Sequence, residues 1–396
     1  MAPSDGPRKS QVDGARAIAE WGLHEALPFW VANGWDTING GFLESVALDG
    51  TPIRGDLRRV RVQARQIYVF ARAHHEGWTD NLERAEEAAD LLRRRAWQAD
   101  GQPGWAHVLT EEGAIADPIR DLYDHAFILL ALAWLGRATG NASYFELADE
   151  TLEFLDTAMV GRGGGYVESL GGAQLPRRQN PHMHLFEALM ALYRATGRPD
   201  IMARARTTKD LFDDIYFDSD RAVLREFYDQ SWGGARGAVG RIVEPGHLCE
   251  WATLLHEFHR ISGEDLSPAC EALYHTAMRH GVNPQTGLLY AAIDPHGRVL
   301  DASSRTWMQT EWLRTAILLR ARGVPSAQRG VEHATSGLLK YYLSGVVAGG
   351  WIDRIDESGQ RDCDRIPAST LYHFFGIIAE CLLIPSDAAR SVSGET

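Results

Sequence analysis

The chain predicts an all-α (α/α)6 barrel, a toroid of six helical hairpins with short β-hairpins on one face. Three observations carry that expectation. A small-residue turn followed by a bulky apolar residue recurs at Phe42, Trp105, Tyr166, Leu224, Leu288 and Trp351, and a period of roughly sixty residues marks a repeat architecture. Helical patterning fills the intervals between these markers. The helices are of two kinds, apolar nearly all round or strongly amphipathic, as an inner and an outer ring require.

The elements follow in order. Gly40-Gly41, Gly164-Gly165 and Gly349-Gly350 precede three of the markers, and Asp49-Gly50, Glu112-Gly113, Gly171-Gly172, His296-Gly297 and Ser358-Gly359 follow five. Each pair of turn signals predicts a short extended hairpin. Leu224 has no glycine just before it and heads the weakest repeat. In 81–97, Leu82, Ala85, Ala89, Leu92 and Ala96 share one side, which suits an outer helix. Segment 121–135 is apolar on every side and suits an inner one. Ala148, Leu152, Leu155 and Met159 again form a single stripe, with acidic residues opposite. The last segment, 371–383, is too apolar for the polar cap that an open solenoid needs, so the ring is expected to close.

Length alone suggests more than one domain for 396 residues, yet no Pro-, Ser- or charge-rich run divides the repeats. One catalytic domain over 10–384 is expected, with polar tails at 1–9 and 385–396. Apolar residues make up 45% of the chain, enough for an extensive core. A net charge of −13 argues against nucleic acid or an anionic membrane as partner. The N-terminus lacks an apolar signal region, and the longest apolar stretch, 127–135, is too short to span a bilayer. Cys249, Cys270, Cys363 and Cys381 have no CxxC spacing, which fits reduced thiols in a cytoplasmic protein.

About twenty residues after each marker stands a polar side chain: Arg65, Tyr123 with Asp124, His184, His247, Gln309 and His373. Closing the ring brings them to one mouth. His184 and Glu187 are three apart, as are His247 and Glu250, so each pair shares a helix face. A carboxylate beside an imidazole raises its pKa or fixes its tautomer. Pro181, Pro245 and Pro367 lie just upstream and place these groups at helix starts, near the positive end of the dipole. His182, two residues from His184, is read as packing, and His256 and His259 as exposed. The glycine run at 161–166 lacks the Lys-Ser/Thr of a phosphate loop and is read as the third hairpin turn. No carboxylate cluster completes a metal set with His182, His184 and His247, so no metal is expected.

The segments QARQIYVF, DLYDHAF, NPHMHLFEA, EPGHLCEW, WMQTEW, GGWIDRIDESG and LYHFF, spread in order from Gly40 to Phe375, resemble the N-acylglucosamine 2-epimerase superfamily. DLYDHAF and WMQTEW look more like its aldose–ketose isomerase branch, the mannose isomerases. The resemblance implies that His247 and His373 are catalytic, with His184 a third histidine beside them. It implies sugar contacts at Arg65, Tyr123, Asn180, Glu250, Trp307, Gln309 and Glu311, and a further one at Arg241. It implies a monosaccharide substrate and no cofactor, and leaves monomer or homodimer open.

The residues fit that chemistry independently. Aldose–ketose exchange needs ring opening, then removal of the C2 proton to give a cis-enediol(ate), then return of a proton to C1. Histidine is suited to that shuttle. One base on one face gives isomerisation; two bases flanking C2 give epimerisation. The expectation is that His373 shuttles the proton, His247 serves ring opening or as second acid/base, and Arg65 stabilises the enediolate oxygens. Three rivals stand: a 2-epimerase of the mannose, cellobiose or N-acylglucosamine type, a glycoside hydrolase using two of Asp124, Glu187, Glu250 and Glu311, and a non-catalytic sugar-binding toroid. A negatively charged sugar would need cations beyond Arg65, for which Arg177, Arg178, Arg236 and Arg241 are candidates.

Overall fold

The two kinds of helix sort into two concentric rings in the computed structural model, which describes residues 8–172 and 176–383. In chain order they are α1 (Arg8–Trp21), α2 (Leu27–Asn33), α3 (Val60–His75), α4 (Leu82–Arg95), α5 (Leu122–Thr139) and α6 (Ser143–Ala158). Then follow α7 (Gln179–Thr196), α8 (Pro199–Leu211), α9 (Pro245–Ser262), α10 (Ser267–His280), α11 (Thr306–Ala321), α12 (Ala327–Gly337) and α13 (Leu371–Leu383). The odd-numbered helices from α3 to α13 form the inner ring, each packed on the next, and α13 returns to α3. Five outer helices follow their inner partners. The sixth comes from the other end of the chain, because α1 packs on α13 and α12. The apolar final segment is therefore covered by the N-terminus, which is why it needs no polar cap. Of the expected tails, 1–7 and 385–396 lie outside the described residues, while Arg8 and Lys9 already belong to α1. No helix among the described residues is long and apolar enough to cross a membrane.

The expected hairpins need correction. Some extended segments do pair within a repeat, as Phe217–Asp218 does with Val223–Leu224. More of them lace neighbouring repeats together: Arg58–Arg59 with Val108–Leu109, Arg120–Asp121 with Ser169–Leu170, Arg177–Arg178 with Phe227–Tyr228, and Ser304–Arg305 with Arg354–Ile355. Arg365–Pro367 of the last repeat pairs with Ser45–Ala47 of the first and closes the face. The segment entering each inner helix lies beside the next repeat's marker, and this pairing satisfies its backbone groups.

In four repeats the marker, or the residue after it, is pinned by a polar side chain from its own inner helix. Gln63 accepts from Phe42 N at 2.8 Å and donates to Phe42 O at 2.7 Å. His125 Nε2 accepts from Trp105 N at 3.1 Å, and His182 Nε2 from Tyr166 N at 3.0 Å. Burial holds both imidazoles neutral, His125 at about 4 and His182 at about 3, as acceptors must be. A Cβ on Gly165, whose φ is +61°, would meet His182 Nε2 at 2.7 Å, so the third turn fits its clamp only as glycine.

In the fifth repeat the clamp is Gln309, and it shifts the marker by one residue. Gln309 Oε1 accepts from Leu289 N at 3.2 Å, and Leu289, not Leu288, makes the bridge with Val282. Gln309 is fully buried, its amide donates to Ser304 Oγ at 3.0 Å, and it lies off the central cavity described below. Replacing it by leucine strands two buried polar groups. Gln309→Leu is expected to lower unfolding free energy by roughly 1–3 kcal/mol without changing the KM of the folded protein. An unchanged denaturation midpoint with a large rise in KM would return Gln309 to the sugar site.

Candidate active site

The starts of the six inner helices surround a cavity of about 280 Å³. At ~30 Å³ per water, it has room for roughly nine waters, the scale of one monosaccharide. Each inner helix sends a polar or aromatic group into it: Arg65 from α3, Tyr123 from α5, Asn180 and His184 from α7, His247 and Glu250 from α9, Trp307 from α11 and His373 from α13. Five of the seven polar residues found by their spacing from the markers therefore meet; Gln309 and Asp124, the latter held by Arg61 and His107, are the exceptions. Trp307 lies between the two outlying imidazoles, its ring centre 4.9 Å from that of His247 and 5.6 Å from that of His373.

The three histidines sit in different electrostatic settings. His247 Nδ1 is 2.9 Å from Glu226 Oε2 and 3.5 Å from Glu244 Oε2. Burial pulls its pKa down, but the charges of Glu226 and Glu244 outweigh that and push it up to about 10. The expected His247–Glu250 pair does not form. His247 turns back toward the helix start, as helical side chains do, and meets the N-cap Glu244, while Glu250 Oε1 faces His184 Nε2 at 3.8 Å.

His373 shows the opposite shift. Its Nδ1 is 2.7 Å from Glu311 Oε1, yet burial first and the Arg65 cation second hold it well below the ordinary imidazole value. With Nδ1 committed to Glu311, Nε2 is the ring nitrogen left for the cavity. His184 is also neutral, near 4 by burial, and its Nδ1 lies 3.1 Å from Glu187 Oε2. Burial first and the charge of Glu311 second push Glu250 well above its ordinary carboxylate value.

Polar atoms without partners cluster in the same place. Among the described residues, Arg65 Nε, Asn180 Oδ1 and both oxygens of Glu250 are buried and have no hydrogen-bond partner. Sugar hydroxyls would satisfy all of them. Arg65 donates to the Tyr123 hydroxyl at 2.8 Å and lies over the Phe127 ring at 4.2 Å.

Other expected residues fall elsewhere. Glu311 is fully buried behind His373 and touches that ring rather than the cavity. Arg241 is exposed at the end of the Val239–Arg241 turn. Arg177 donates to the carbonyls of Arg162, Gly164 and Tyr166, and Arg236 is exposed; neither lines the cavity. His256 and His259 are half-buried, not exposed, with His259 Nδ1 2.7 Å from Glu264 O. Pro245 opens α9 as expected. Pro181 is the third residue of α7, and Pro367 precedes the short turn Ala368–Thr370 before α13.

Glu226, Glu244 and the arginines Arg59, Arg61 and Arg305 also line the cavity and went unnoticed in the sequence. A signal for Glu226 exists. Two residues beyond the markers stand Glu44, His107, Glu168, Glu226, Ala291 and Asp353, counting the fifth marker as Leu289. Five of these are polar, and they bind the groups that open the inner helices. Glu226, Glu244 and His247 lie close enough together to hold a cation; the two carboxylates face His247 Nδ1 at 2.9 and 3.5 Å.

An (α/α)6 toroid whose mouth gathers histidines of opposed acidity around a monosaccharide-sized cavity defines an enzyme of the sugar isomerase and epimerase class. The chain belongs to the N-acylglucosamine 2-epimerase (GlcNAc 2-epimerase) family, whose model matches residues 40–377. It is 34% identical to a Rhizobium meliloti (strain 1021) protein named mannose-6-phosphate isomerase, over 92% of this chain and 96% of that one. It is 25% identical to a D-mannose isomerase of Marinomonas mediterranea, over 87% of this chain and 91% of that one. A crystal structure of D-mannose isomerase shares the fold, with a TM-score of 0.83 at 23% identity, covering 97% of this chain and 100% of the other.

Proposed function

We propose that this enzyme interconverts a free aldose and its ketose, of the D-mannose to D-fructose type, by proton transfer between C1 and C2 through a cis-enediol(ate). The observation that carries the reading is the opposed acidity of His247 and His373 across one cavity. Two titratable groups whose surroundings push their pKa values apart mark an acid and a base. His247, protonated up to about pH 10, gives its Nε2 proton to the ring oxygen as the hemiacetal opens, while the anomeric hydroxyl gives up its proton to water. His373, neutral through Nε2, takes the C2 proton and returns it to C1. Arg65, next to His373 and free of any carboxylate partner among the described residues, stabilises the enediolate oxygens. His184, Asn180, Glu250, Tyr123 and Trp307 bind and orient the open chain.

The carboxylates support this reading over hydrolysis. Asp124 is engaged by Arg61 and His107, Glu187 by His184 and Tyr372, and Glu311 by His373. That leaves no opposed free pair of the kind a glycosidase uses. Epimerisation at C2 remains the second reading, because a protonated His247 opposite His373 could return the proton to the other face. Incubation with D-mannose separates the two: fructose is the expected product, and glucose would replace isomerase with 2-epimerase. The reading places the reaction in cytoplasmic carbohydrate metabolism, consistent with the free cysteines Cys249, Cys270, Cys363 and Cys381.

A further inference from the structure

In repeats one and three, the glutamate two positions past the marker latches the arginine that opens the inner helix. In repeat one, Glu44 accepts from Arg59 N at 2.7 Å and from the Arg59 guanidinium at 2.8 and 3.0 Å. In repeat three, Glu168 accepts from Arg178 N at 3.1 Å and from its guanidinium. Arg305 occupies the same place before α11, but its repeat supplies Ala291, which has no carboxylate to offer. Its ion pair is a single 3.1 Å contact to Asp353 of the next repeat, and 45% of its side chain is exposed.

The small side chain at Ala291 also leaves space. A second chamber of about 410 Å³ opens there and shares Glu244, Arg305 and Trp307 with the substrate cavity. Arg354 brings another cation to it, 3.3 Å from Asp362 and 46% exposed, and donates to Ser303 Oγ at 3.3 Å. Asp301 is the other acid at the chamber, exposed and accepting from Ser303 N at 2.9 Å.

We propose that this chamber is a subsite for a phosphate ester on a sugar carbon remote from C1 and C2, gripped by Arg305 with Arg354 beside it. The proposal rests on the isomerase reading and names the substrate class within it. Guanidinium presents a planar fork that matches phosphate oxygens two at a time. Arg59 and Arg178 have already given that fork to Glu44 and Glu168, whereas Arg305 keeps donors free to meet a ligand.

The test compares isomerisation of mannose and mannose 6-phosphate by wild type, Arg305→Ala and Ala291→Glu, the last of which installs the missing latch and fills the chamber. The readout is the ratio of kcat/KM for ester over free sugar, with inorganic phosphate as competitive inhibitor. The ratio is expected to fall roughly tenfold or more in both variants, the loss of a hydrogen-bonded charge contact, and phosphate inhibition to weaken in Arg305→Ala. A ratio unmoved in Arg305→Ala, or turnover of mannose with none of its phosphate, overturns the subsite and leaves the isomerase reading standing. Turnover of neither sugar overturns both.

Discussion

His373→Asn is expected to abolish exchange of the substrate C2 hydrogen with solvent deuterium and to lower isomerisation by about 10²–10⁴-fold, the usual worth of a positioned general base. Asparagine keeps an N–H near the place of Nδ1, so the 2.7 Å contact to Glu311 can persist, while the basic Nε2 is lost. The fold should hold, and a far-ultraviolet spectrum and melting midpoint close to wild type would show that it does. The depressed pKa of His373 adds a second part to the expectation. A base already neutral well below the ordinary imidazole value stays active through mildly acidic pH, so wild-type kcat/KM should not fall as pH drops through 6.5. Deuterium wash-in at C2, followed by NMR, tests the base directly and independently of ring opening. Exchange that survives in the variant would pass the shuttle to His247 or His184.

How much of this was legible in the sequence depends on helix geometry more than on residue type. Residues two apart on a helix point to nearly opposite sides, so the chain presents alternating polar positions without saying which faces the axis. Gln63 and Arg65 are such a pair, as are His182 and His184: the first clamps a turn and the second enters the cavity. Of the second pair, His182 already reads as packing and His184 as a site residue in the sequence. In the fifth repeat Trp307, Gln309 and Glu311 all looked eligible; the middle one clamps Leu289, Trp307 lines the cavity and Glu311 backs His373. Ring closure was legible from the apolar last helix, but the source of the sixth outer helix was not, since nothing local to 8–21 says that it packs against 371–383. The carboxylates that tune His247, Glu226 and Glu244, were missed because they sit on turns, where a lone glutamate reads as solvated. Only the common offset of Glu44, Glu168, Glu226 and Asp353 from their markers gives Glu226 away.

Glu226 is therefore the residue whose replacement should move the chemistry most without touching an imidazole. It is buried, 2.9 Å from His247 Nδ1, and also accepts from Gln179 Nε2 at 2.8 Å. In Glu226→Gln the shape is kept and the charge removed. Burial then acts on His247 with only Glu244 in close opposition, and Glu244 is itself raised to about 7 by burial. The His247 pKa should fall from about 10 toward or below its ordinary 6.5. For activity, the alkaline limb of kcat/KM lies near pH 10 in wild type, where the acid loses its proton, and moves to lower pH in the variant. At about pH 9 the expected loss is roughly 10–100-fold, one decade for each unit by which the acid is left deprotonated, with a much smaller loss near pH 6. Stability has the same sign. A histidine whose folded pKa exceeds its unfolded value contributes fully below about 6.5, and that contribution is lost as pH rises through about 10. Removing Glu226 takes that contribution away, so the melting midpoints of wild type and variant should differ most at pH 6 and converge toward pH 10. An alkaline limb that stays near pH 10 in Glu226→Gln would transfer the control of His247 to Glu244, and Glu244→Gln would then have to reproduce the shift.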